Sequence, residues 1–115
     1  MNRFATHIIT VLTAFLMFLP SRAQRPESLH ENMVVSAVQK YNEGKYDEAS
    51  DILDKILQAD TRNDAAWYYS ALISLAKDDI AAAEDYLKYA LEIDPDNFWY
   101  RYRLAGIYAV TSRIE

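Results

Sequence analysis

The chain is similar to itself at a spacing of 34 residues, and this repetition restricts its fold more than any other feature. A shift by 34 residues aligns identical residues without a gap, namely Ser36 with Ser70, Ala37 with Ala71, Ala49 with Ala83, Asp51 with Asp85, Leu53 with Leu87, Leu57 with Leu91, Asp60 with Asp94 and Asn63 with Asn97. A second shift pairs Ala71 with Ala105. A period of this length indicates structural units that stack side by side and share one core.

The spacing of apolar residues divides each unit into two helices. We expect Ser28 to cap the first helix, Gly44 to end it and Asp47 to open the second. In the second unit, Asp64 is expected to cap the third helix. A fifth helix should begin at Asn97, because the proline just before it stops the fourth helix. The sequence therefore predicts an all-α protein.

Small residues recur where paired helices should cross closely. Ala37, Ala71 and Ala105 occupy this position on the first helix of each unit, and Ala49 and Ala83 occupy it on the second. A larger side chain there would push the helix axes apart, and overpacking of this kind costs roughly 1–3 kcal/mol. We therefore expect these alanines to be buried.

The period and these residues together resemble the tetratricopeptide repeat (TPR) family. The second unit carries Trp67, Ser70, Ala71, Ser74, Ala83, Leu87 and Pro95, the third carries Leu104, Ala105 and Tyr108, and the first is the weakest match with Met33, Ser36, Ala37, Lys40, Ala49, Leu53 and Thr61. The resemblance implies antiparallel helix pairs stacked into a short right-handed superhelix. It implies about two and a half units, at residues 30–63, 64–97 and, in part, 98–115.

The first 23 residues have the pattern of a secretory signal peptide. Arg3 precedes an apolar stretch at residues 8–19, and Ser21 and Ala23 frame a cleavage site after Ala23. The stretch is shorter than the roughly 20 residues that span a bilayer, so cleavage is favoured over an uncleaved membrane anchor. We expect an exported protein, periplasmic or extracellular, with residues 24–29 as a short lead before the repeats.

The sequence offers little material for catalysis. It has no cysteine, and His30 is the single histidine outside the predicted signal peptide. The acidic residues are better explained as helix caps and solvated faces than as an acid–base pair. The net charge of −5 also argues against nucleic acid as a partner. We therefore expect no enzyme activity, no catalytic residue, no cofactor and no metal site.

The TPR resemblance implies that the first helix of each unit lines a concave groove for a protein or peptide. The groove residues would be Val34, Val38, Tyr41, Tyr68, Leu72, Leu75, Trp99 and Tyr102, with Gly106 beside them. Family members that clamp a peptide's terminal carboxylate use Lys and Asn on these faces. Val34 and Val38 stand at those places, which argues against such a clamp. An apolar, aromatic groove suits an amphipathic helix or an extended hydrophobic peptide.

The third unit is unusually apolar for the end of a repeat array. Residues 98–110 contain a run of aromatic and aliphatic side chains where a polar cap is typical. The function predicted from the sequence is a non-catalytic binding scaffold of the cell envelope or periplasm. The alternatives are the N-terminal interaction module of a longer exported enzyme or receptor, and a structural repeat protein that self-associates through residues 98–110.

Overall fold

The computed structural model describes the backbone of residues 26–111 and the side chains of residues 29–111. The predicted signal peptide lies outside the described residues. Five helices follow one another in the described part of the chain, and no strand occurs there: α1 (Pro26–Asn42), α2 (Tyr46–Ala59), α3 (Asp64–Ala76), α4 (Ile80–Ile93) and α5 (Phe98–Val110). None of these helices is long and apolar enough to cross a membrane. The all-α prediction is therefore confirmed for this part of the chain.

The chain divides into two compact units, Met1–Asn32 and Met33–Glu115. The boundary falls inside α1. In the first unit the structure describes only the beginning of α1, and the second unit contains the rest of α1 and all of α2 to α5. The packing described below belongs to the second unit.

A first apolar cluster joins α1, α2 and α3. Its buried members are Ala37, Ala49, Leu53, Ile56, Ala66 and Ile73, and partly buried side chains surround them, including Met33, Val34 and Tyr41. Ala37 and Ala49 are 1% and 0% exposed, so the predicted close crossing of the first helix pair is occupied by buried small residues.

A second apolar cluster joins α3, α4 and α5. Ala71, Ala83, Leu87 and Ile107 are its buried members, with Tyr68, Leu75, Ile80, Tyr86 and Leu104 packed around them. Because α3 contributes to both clusters, through Ala66 and Ile73 on one side and Ala71 on the other, it is the central helix of the unit.

The alanine prediction holds at four of its five positions. The third member of the series, Ala105, is exposed, whereas Ala37 and Ala71 are buried. The physical reason is that α2 covers Ala37 and α4 covers Ala71, whereas no described helix follows α5 to cover Ala105.

Local side-chain caps set most helix starts. Asn97 accepts hydrogen bonds from the backbone N–H groups of Trp99 and Tyr100, at 3.0 and 3.3 Å, which confirms its predicted role. Asp79 caps α4 by accepting from the N–H of Ala82 at 3.1 Å. Gly44 has a φ of +77°, the left-handed conformation expected at its place after α1.

Two predicted caps are wrong. Asn63, not Asp64, caps α3, and its side-chain oxygen accepts from the N–H of Ala66 at 3.0 Å. Asp64 is the first helical residue, where its negative charge faces the positive end of the helix dipole. Ser28 lies inside α1, because the helix begins at Pro26, and proline is well suited to the first helical position.

Trp67 has a structural role. Its indole N–H donates to the backbone oxygen of Thr61 at 2.8 Å, which ties α3 to the preceding connection. Its ring lies 5.8 Å from that of Tyr86 and 4.9 Å from that of Tyr89 on α4. Aromatic pairs at these distances stabilise a fold beyond their buried area.

Candidate functional site

An open cleft of about 550 Å³ lies against α5. It is lined by Leu75 at the end of α3, Ile80 at the start of α4, and the α5 residues Tyr102, Arg103, Ala105, Gly106, Ile107, Ala109 and Val110. The lining is mostly apolar, and its volume falls within the range that binding sites for small ligands or side chains typically have.

Glycine at position 106 helps to keep this cleft open. A Cβ atom built on Gly106 meets nothing within 4 Å apart from its chain neighbours and the backbone of its own helix, so the space above this residue is free. Gly106 lies within a regular helix, where glycine is destabilising by roughly 0.5–1 kcal/mol relative to alanine. The absence of a side chain therefore leaves room at the cleft without serving the helix itself.

The residues predicted for the concave groove take different positions. Leu75 and Tyr102 line the cleft together, along with Gly106, and Trp99 is exposed near the start of α5. Tyr41, Tyr68, Val34 and Val38 are half-buried, and Leu72 is only 7% exposed. Tyr68 packs against the second apolar cluster, and Val34 and Tyr41 pack against the first.

Arg103 is the one charged residue in the lining of the cleft. Three tyrosines affect its electrostatics, Tyr68 on α3 most strongly, followed by Tyr41 on α1 and Tyr102 on α5. Tyr68 raises the pKa of Arg103 against a smaller opposing effect of burial, so the side chain stays charged. Three of the predicted groove residues thus influence the charge of Arg103.

The exposed aromatic residues of α5 form a patch beside the cleft. Phe98, Trp99 and Tyr102 are each about 60% exposed, and their rings contact one another at centroid distances of 5.3 to 6.3 Å. Tyr102 belongs to both the patch and the cleft. Exposed aromatic groups of this kind are typical anchors in protein interfaces.

Tyr100 fixes the position of α5 against α3. Its hydroxyl donates to the Asp64 carboxylate at 2.7 Å, and its ring lies 4.8 Å from that of Tyr68. Burial, followed by the hydrogen bond to Asp64, holds the pKa of Tyr100 well above its usual value. Tyr68 also raises the pKa of Arg103, so the Tyr68–Tyr100 pair is linked to the charged residue of the cleft.

Arg103 was not among the residues predicted for the groove. The sequence places it next to Tyr102, in an alternation of tyrosine and arginine at residues 100–103. A cation on an aromatic helix face could have been identified from the sequence as a candidate binding residue. Its position at the cleft depends on the packing of α5 against α3, which the sequence pattern alone does not give.

A second, smaller depression of about 300 Å³ lies between α2, α3 and α4, at Trp67. Its lining is more polar, and the Trp67 N–H that borders it already has a partner in Thr61. Among the described residues, no three His, Cys, Asp or Glu side chains lie close enough together to hold a metal ion. The cleft beside α5 is therefore the stronger candidate site.

No protein-family model matches the chain, and a comparison with curated proteins finds no significant match.

Proposed function

We propose that this protein is a non-catalytic scaffold of the TPR type that binds a protein or peptide through the concave face of its repeats. The single observation that carries the proposal is the open apolar cleft in which Leu75, Tyr102 and Gly106 meet. All three lie on the first helices of successive units, on the face that the family resemblance assigns to ligands.

The lining of the cleft suits a peptide side chain. It is mostly aliphatic, and it includes one aromatic residue, Tyr102, and one cation, Arg103. Apolar pockets with a few polar groups that fix orientation are typical of peptide-binding sites. The aromatic patch next to it offers further contact area for residues that flank the inserted side chain.

The superhelical arrangement and the export of the chain belong to the same proposal. The 34-residue register and the two apolar clusters that meet at α3 support stacked helix pairs. The residue pattern of positions 1–23 supports cleavage of a signal peptide and a periplasmic or extracellular location.

Filling the cleft at Gly106 tests the proposal. The purified chain is applied to an array of short random peptides, and the best binder is titrated against wild type, Gly106→Leu and Gly106→Ala. Because a Cβ at this position meets open space, both variants should fold, and both should raise the melting temperature by removing a helical glycine.

The two variants should differ in binding. We expect Gly106→Leu to weaken the selected peptide at least about tenfold, which is roughly 1.4 kcal/mol, because its side chain occupies the cleft. Gly106→Ala, which adds one methyl group, should bind within about threefold of wild type. Equal affinity of all three proteins, or no peptide binding at all, would exclude the cleft as a peptide site.

A second candidate function is self-association through residues 98–110. It is favoured by the exposure of Phe98, Trp99 and Val110, which are 64%, 61% and 76% accessible. Light scattering across a range of protein concentrations should then show a dimer that Trp99→Glu dissociates. A monomer at all concentrations would remove this candidate and leave the α5 face free for a different partner.

A further inference from the structure

Arg103 gives the cleft a chemical preference. It is the single charged residue in the lining, and none of the described lining residues carries a carboxylate. The larger aliphatic side chains of the lining are Leu75, Ile80, Ile107 and Val110. A ligand that fills this space meets a mostly apolar lining and one positive charge.

Among the described residues, no carboxylate neutralises the positive charge of Arg103. The side chains that affect its electrostatics most are Tyr68, Tyr41 and Tyr102. By contrast, Arg101 on the same helix donates to Asp96 at 3.3 Å and to the backbone oxygen of Pro95 at 2.8 Å. No acidic side chain in the described part of the chain forms an ion pair with Arg103.

A ligand lying over Arg103 would remove water from its guanidinium. This group has five N–H donors and no acceptor, so covering it with a purely apolar segment leaves donors without partners. A carboxylate accepts two parallel hydrogen bonds from a guanidinium and compensates its charge. The cleft therefore favours a ligand that brings a carboxylate next to its apolar part.

The geometry of α5 limits how far apart these two parts lie. The helix rises about 1.5 Å per residue, so the seven steps from Arg103 to Val110 cover about 10 Å. An extended peptide advances about 3.3 Å per residue, and about three residues span the same length.

This inference rests on the proposed peptide-binding function. We propose that the cleft selects extended peptides in which an acidic side chain lies within about three residues of a large apolar side chain, with Arg103 binding the acidic group. The apolar side chain enters the cleft over Gly106. The net charge of the whole chain, −5, disfavours peptides with many acids, so one acidic residue is the preferred number.

The experiment uses an array of short peptides that are N-acetylated and C-amidated, so that side chains supply the only carboxylates. Each peptide contains a leucine or phenylalanine and one residue at a distance of one to five positions, which is Asp, Asn, Lys or Ser. The proteins are wild type, Arg103→Gln, Arg103→Lys, Arg101→Gln and Gly106→Leu. Arg101→Gln is the matched control, because it removes one positive charge from the same helix away from the cleft.

We expect wild type to bind the Asp peptides at short spacing about tenfold more tightly than the Asn peptides, as for a hydrogen bond to a charged group. Arg103→Gln should abolish this preference while retaining the weak binding of neutral peptides, and Arg103→Lys should retain part of it. Arg101→Gln should behave as wild type. Raising the salt concentration should reduce the preference for Asp.

Two other outcomes separate the two proposals. Binding that depends on Gly106 but shows no preference for Asp, or a preference that persists in Arg103→Gln, overturns the acidic selectivity and leaves peptide binding at the cleft intact. Binding that Gly106→Leu does not reduce, or the absence of binding to any peptide, overturns the proposed function and this inference with it.

Discussion

Tyr100 shows how a single side chain joins α5 to α3. It is 6% exposed, donates a hydrogen bond to Asp64 and packs its ring on Tyr68. The 34-residue register could not predict this contact, because the register equivalents of Asp64 are His30 and Phe98. The sequence had assigned Asp64 to a cap, and its place one residue inside α3 frees the carboxylate to accept from Tyr100.

Replacing Tyr100 by phenylalanine should destabilise the protein at neutral pH. The variant retains the ring but leaves the half-exposed Asp64 carboxylate without this donor, and we expect a loss of about 1 kcal/mol in the free energy of unfolding. Urea denaturation at pH 7 measures it. An unchanged midpoint would show that water replaces the hydroxyl without cost.

The Tyr100–Asp64 pair should make the stability of the protein depend on pH in the alkaline range. The pKa of Tyr100 is raised in the folded state above the ordinary tyrosine value of 10.0. Its contribution to stability is therefore fully present below about pH 10 and is lost as the pH rises further, because the unfolded chain gives up the proton first. Comparing wild type with Tyr100→Phe, we expect the stability difference between them to be smaller at about pH 11 than at about pH 8.

Among the helices, α5 shows both a success and a limit of prediction from sequence. Its start was predicted well, whereas the burial of its faces was not. Its cap, Asn97, follows a proline and was predicted correctly. The burial of its faces was not predictable in the same way. Ile107 is buried at 4% because α3 and α4 lie against it, whereas Ala105, expected to be buried, faces the cleft.

The cap of α5 should matter for the site as well as for the helix. Asn97→Ala removes two hydrogen bonds to the first turn, and we expect a loss of about 1 kcal/mol. Asp96→Ala is the control, since its carboxylate forms an exposed contact with Arg101 that contributes at most a few tenths of a kcal/mol. Thermal melts followed by circular dichroism distinguish the two, and equal losses would contradict the assignment of the cap.

At the scale of the whole described unit, the core was largely predictable. Leu53 and Leu87 are register equivalents, and both are 0% exposed at the centres of the two clusters. The role of α3 as the helix shared by both clusters follows from its two opposite faces of small and aliphatic residues. The site was predictable only in part. The cleft forms between helices of different 34-residue repeats, whereas the period describes each repeat separately.

Because the two clusters share α3, residues 33–111 should unfold together. We expect Leu53→Ala and Leu87→Ala each to cost about 2–5 kcal/mol, as is usual for a fully buried leucine. Each variant should unfold in a single transition with a lowered midpoint, and tyrosine fluorescence and circular dichroism should give the same midpoint. Two separated transitions in either variant would show that the clusters are independent.

The two glycines of the chain offer a direct measurement of whether a peptide binds in the cleft beside α5. Gly106 lies in the cleft and Gly44 lies in the turn after α1, so a protein labelled with ¹⁵N-glycine gives one reporter at the site and one away from it. The labelled chain is titrated with the tightest peptide from the array and followed by NMR. We expect the Gly106 resonance to shift in a saturable way while the Gly44 resonance stays in place. Saturable binding that leaves the Gly106 resonance unshifted would show that the peptide binds elsewhere.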